Sequence, residues 1–112
     1  MELTEYVDSC PIATVALEVA NTSEPMREAC AEAFNSWLAL LQTRFEEAGI
    51  EATRASELAI ELFCAIEGAF LLSRTTRSSK PLLVTGASSA NAVRNALPTK
   101  ATKPIKRNPV RR

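Results

Sequence analysis

The sequence has no histidine. That removes the commonest general base and the commonest metal ligand at neutral pH. Its three cysteines, Cys10, Cys30 and Cys64, stand far apart, so no pair has the short spacing of a zinc site. Adjacent carboxylates such as Glu46-Glu47 fall on the solvated side of a helical pattern. No catalytic centre, metal site or cofactor is therefore expected. An odd number of thiols behind a polar, acidic start (MELTEYVDS) predicts free thiols in a cytoplasmic chain. No apolar run approaches the roughly 18 residues of a membrane span. Aromatic residues are scarce, at 5%, and alanine is common, which argues for helices over a sandwich or barrel.

No acidic residue follows Glu67. Up to that point thirteen acids face three arginines, a formal −10; from Gly68 on there are ten basic residues, a formal +10. The pattern is an acidic body carrying a basic tail. Residues 98–112 hold three prolines and little apolar surface, which predicts a disordered tail behind a folded unit of residues 1–97. The tail has no interleaved aromatics and no folded reader, so it reads as solvated rather than as a nucleic-acid site.

The apolar pattern predicts an all-α fold, a small antiparallel bundle of about four helices. Residues 10–20 open with a possible Ser9 cap and Pro11 in the first turn. Val15, Leu17 and Val19 alternate as in a strand, but no other segment offers a strand partner, so a short buried helix is preferred. Glu24 and Pro25 begin a long helix to Ala48, stopped by Gly49. Its apolar face runs from Met26 through Phe34, Trp37, Leu38 and Leu41 to Phe45. A third helix, capped by Thr53, extends to about Thr76. It is apolar nearly all round from Ile60 to Leu72, as in a helix covered on several sides. The small residues Cys64, Ala65, Gly68 and Ala69 suit close helix–helix approach. A fourth helix over 82–97 is weakened by Gly86, Ser88, Ser89 and Asn91.

Two charged residues stand out. If residues 24–48 and 53–76 form a hairpin about position 50, Arg44 lies opposite Glu57, with Glu61 a turn away. A structural salt bridge is the expected result. The same register sets Glu67 opposite Phe34, in apolar company that is costly for a carboxylate without a partner. Arg74, another chain or a ligand are its candidate partners. Leu83-Val84-Thr85-Gly86-Ala87-Ser88-Ser89 looks like the opening of a dinucleotide-binding fold, but Ala90 and Ala92 stand where that turn needs glycines. A weak helix is the preferred reading.

Cys10-Pro11-Ile12-Ala13, then Ser23-Glu24-Pro25 opening a long helix with Trp37, resembles the C-terminal domain of TetR-type transcriptional repressors, in particular the LmrA/YxaF-like branch. Glu67-Gly68-Ala69-Phe70-Leu71-Leu72-Ser73-Arg74, followed by Lys80-Pro81-Leu82, resembles the last two helices of that branch. The likeness covers about residues 8–85 and fades through 97. It implies a regulatory domain that binds a small apolar effector and forms a homodimer. The tentative effector site is Phe34, Trp37, Leu41, Phe63 and Glu67; the tentative dimer interface is Cys64, Gly68, Leu71 and Leu72. The N-terminal helix-turn-helix of such repressors has no counterpart in the sequence, so specific DNA binding by this chain alone is not expected. The alternative is a protein-interaction module that pairs with a full-length TetR-like repressor.

Overall fold

A computed structural model describes residues 10–99. Among these residues there are four helices and no strand: α1 (Pro11–Val19), α2 (Glu24–Glu47), α3 (Ala52–Thr76) and α4 (Lys80–Ala96). The all-α expectation holds. Residues 1–9, with the possible Ser9 cap, lie outside the described residues, as does the expected tail from residue 100 on.

Local chemistry fixes the helix ends. The Ser23 hydroxyl accepts from the Met26 backbone N–H at 3.4 Å, and Pro25 occupies the first turn of α2. At the other end Gly49 adopts φ +99°. Its N–H donates to the Glu46 carbonyl (2.9 Å) and the Ile50 N–H donates to the Phe45 carbonyl (3.0 Å), a Schellman closure. The cap of α3 is Glu51 rather than Thr53. Its carboxylate accepts from the N–H groups of Thr53 (3.0 Å) and Arg54 (3.1 Å), and these bonds hold the carboxyl below the usual range. Thr53 already lies inside the helix, so its N–H is one of the orphans being capped.

α3 packs against both α2 and α4, and α1 lies on α2. The core sits at the α2–α3 corner. Phe45, Ile50, Ala55, Leu58 and Ala59 are buried there, with Leu38, Leu41 and Leu62 packed around them. The end of α4 seals the corner through Ala92, Val93, Ala96 and Leu97. This packing outweighs the poor helix propensity of Gly86, Ser88, Ser89 and Asn91, so α4 forms. The dinucleotide-like stretch 83–89 is an interior segment of that helix, not a strand and turn.

Two further expectations are corrected. α1 is helical but not buried; Leu17 is 82% exposed. Arg44 does not meet Glu57 or Glu61. The inward line of α2 is Cys30, Phe34, Leu38, Leu41 and Phe45, whereas Trp37, Leu40 and Arg44 follow an adjacent stripe that faces out. Arg44 pairs with Glu47 of its own helix at 3.3 Å. Arg54 takes both expected acids, Glu57 at 3.7 Å and Glu61 at 3.0 Å, and these bonds hold its guanidinium above the usual range.

Candidate functional site

α3 carries two apolar stripes. Ala55, Leu58, Ala59, Leu62, Ala69 and Ser73 turn toward the chain's interior. Ile60, Phe63, Cys64, Glu67, Phe70, Leu71 and Arg74 recur at intervals of three and four and form one wall of a groove. Phe34 and Leu38 of α2 form a second wall. α1 supplies the third through Ala13, Thr14, Ala16 and Leu17, with Cys10 at its N-cap. The groove encloses about 540 Å³ and its lining is overwhelmingly apolar.

Aromatic packing braces one side. Phe34 meets Trp37 and Phe63 edge-on, with ring centroids 5.8 and 5.7 Å apart. Trp37 stacks on Phe63 at 6.0 Å. Offset and edge-on pairs of this kind hold ring orientation as well as burying area.

The residues expected to bind an effector separate in space. Phe34, Phe63 and Glu67 line the groove together. Trp37 packs on two of its rings without being a lining residue, and Leu41 packs against the core instead. The residues expected at a dimer interface also divide. Cys64, Gly68 and Leu71 line the groove, and Leu72 stands exposed outside it. Nothing lies within 4 Å of where a Gly68 side chain would begin, whereas Ala69 is buried in the chain. The sequence reading did not anticipate the wall contributed by α1. Its signal was a nine-residue, strongly apolar helix too short to build a core.

Glu67 is half-buried in the groove wall, and no hydrogen bond or ion pair reaches its carboxylate among the described residues. Arg74, on the same stripe two turns on, is engaged in an interaction of its own. Outside the groove, the hydrogen bond from Arg27 holds the Glu24 carboxyl below the usual carboxylate range, and the same bond holds the Arg27 guanidinium above its own.

The family model for the C-terminal domain of LmrA/YxaF-like transcriptional regulators matches residues 1–88. The chain belongs to this family. It is 38% identical over 80 residues to the HTH-type transcriptional regulator LmrA of Bacillus subtilis, a match covering 71% of this chain and 43% of LmrA. It is 35% identical over 81 residues to the regulator YxaF of the same organism, covering 72% of this chain and 42% of YxaF. An HTH-type regulator of Mycobacterium tuberculosis is 37% identical over 84 residues, covering 70% and 43%. The chain thus spans less than half the length of the curated relatives it matches. No solved structure matches. Among the described residues of this LmrA/YxaF-like domain, no helix is long and apolar enough to cross a membrane.

Proposed function

We propose that this LmrA/YxaF-like domain is a non-enzymatic, cytoplasmic regulatory module that takes a small apolar effector between α1, α2 and α3. The groove carries this reading. Most ligand sites are largely apolar concavities with few polar groups, in a size range that includes about 540 Å³. Trp37 is the only tryptophan and packs on two lining or wall rings, so it reports occupancy directly. Titration with the neutral dye N-phenyl-1-naphthylamine should give saturable quenching of Trp37 and a rise in melting temperature, both diminished by Phe63→Ala. Dye binding that never saturates, or that ignores Phe63→Ala, rejects the groove as the site.

The same module pairs with a second copy. Support comes from large apolar residues that face out of α3 and α4 beyond the groove: Leu72, Leu83 (70% exposed) and Val84. Sedimentation equilibrium of the wild type, Leu72→Glu and Leu83→Glu across a concentration series tests the pairing. A wild type that stays monomeric at high micromolar concentration refutes it. Mixing with a full-length relative tests the alternative, a module acting chiefly by pairing with such a repressor. Specific duplex binding by this chain alone is not part of the proposal, and a footprint on a defined operator at physiological salt would contradict it.

A further inference from the structure

We infer that the groove selects lipophilic cations over neutral or anionic molecules of the same shape, an inference that rests on the groove being a ligand site. Glu67 is the starting point. Filling the groove with a neutral apolar body would strip water from this carboxylate and supply no counter-charge in its place. A cation replaces the lost hydration with a counter-charge. An anion would meet Glu67 as well as the desolvation cost.

The surroundings act in the same direction. Residues 10–67, which supply most of the walls, contain ten acids and three arginines, a formal −7. Each arginine is committed outside the groove: Arg27 to Glu24, Arg44 to Glu47, Arg54 to Glu57 and Glu61. Over the described residues as a whole ten acids face seven basic residues, a formal −3, so the body's field favours cations weakly, over a range set by salt screening. Inside, the lining rings of Phe34, Phe63 and Phe70 add faces that attract a cation within about 6 Å. Arg74 marks the far edge of the same stripe, about 10 Å along the helix from Glu67 at 1.5 Å per residue. It lines the same groove and holds an interaction of its own.

The test uses two ions of nearly identical shape and opposite charge, tetraphenylphosphonium and tetraphenylborate, with N-phenyl-1-naphthylamine as the neutral reference. Binding is read from Trp37 fluorescence and by displacement of the dye. Tetraphenylphosphonium should bind the wild type at least tenfold more tightly than tetraphenylborate. Glu67→Gln should weaken the cation by about tenfold, the effect of one charge pair at the groove wall. Glu32→Gln, the same charge change at an exposed position outside the groove, should have little effect. Equal weakening by the two variants, or no preference for the cation, overturns the inference. Saturable dye binding without cation preference leaves the groove standing as a site and removes its selectivity. Failure of the dye as well removes both. Should Glu67→Gln lose its helical circular dichroism, the wild-type ratio of the two ions still decides.

Discussion

The two ends of the α2–α3 hairpin are both rich in apolar residues and have opposite fates. At the turn, Phe45 and Ile50 close onto the small residues Ala55 and Ala59, Leu58 fills the space between, and α4 covers the rest. At the other end, Phe34, Leu38, Phe63 and Phe70 are large, and among the described residues their cover is α1, a nine-residue helix with none of its residues buried. Large side chains facing a short cover leave a groove; small ones alternating with a large one leave none. The difference lies in how sizes are arranged along the helices, not in how hydrophobic the segments are.

The most damaging way to probe that difference is to empty each end in turn. Leu58 is fully buried. Leu58→Ala should cost about 2–5 kcal/mol, measured as a shift in the urea midpoint at constant slope. Leu71→Ala, on the exposed groove wall, should stay within about 0.5 kcal/mol. Equal costs would mean the groove end is closed in solution.

Next in size is the cap that orients α3 between the two ends. Glu51→Ala should lower the melting temperature at neutral pH, because two backbone N–H groups lose their acceptor. The sign of the pH dependence follows from the lowered carboxyl. Its stabilisation is complete above the ordinary glutamate range and is lost as pH falls through the depressed folded value. The gap between wild type and variant should therefore narrow on acidification, and melting curves at stepwise lower pH would show it. A gap independent of pH would rule out the charged cap.

A smaller effect is expected at the α3–α4 junction, where Arg77 holds a left-handed conformation with φ 50°. Glycine meets no Cβ penalty there, though it has more freedom to lose on folding. Arg77→Gly should stabilise by up to about 1 kcal/mol in the same urea titration. The smallest effect concerns the exposed ion pairs. A double-mutant cycle of Arg54→Ala with Glu61→Ala should show a weak coupling that disappears in high salt, whereas Arg44→Ala with Glu57→Ala should show none. Coupling in the second cycle would restore the cross-hairpin pair.

These residues also mark what could be read from the sequence alone. The long helices, the Gly49 stop and the Ser23-Pro25 start were legible because capping and 3.6-residue periodicity are local. The hairpin register set Glu67 opposite Phe34, and both residues line the groove. Arg44 was misplaced because an apolar arc wide enough to include Leu40 admits its neighbour a turn later. Only the packed structure shows that the inward line is narrower. The exposure of α1 and the sealing role of α4 were out of reach for a different reason. Each depends on which helix covers which, and short segments with mixed propensity carry little information about their partners. The groove follows from that missing information: its rings were visible, its third wall was not.

One contact at the closed end ties distant parts of the chain together in time as well as space. A side chain added at Gly49 would meet the ring of Pro98 at 3.0 Å, so the segment leaving α4 lies directly over the turn between α2 and α3. Residues that far apart meet late in folding, because the chain entropy lost in closing such a loop is recovered only when the whole interval is in place. If the hairpin forms first, its corner should stay wet until α4 docks. Slow-exchanging amides in α4 and around Leu58 should then open together as one cooperative unit, while amides in α1 exchange independently and faster. The part of the chain that is last to arrive would set the lifetime of the core, and the groove would breathe without disturbing it.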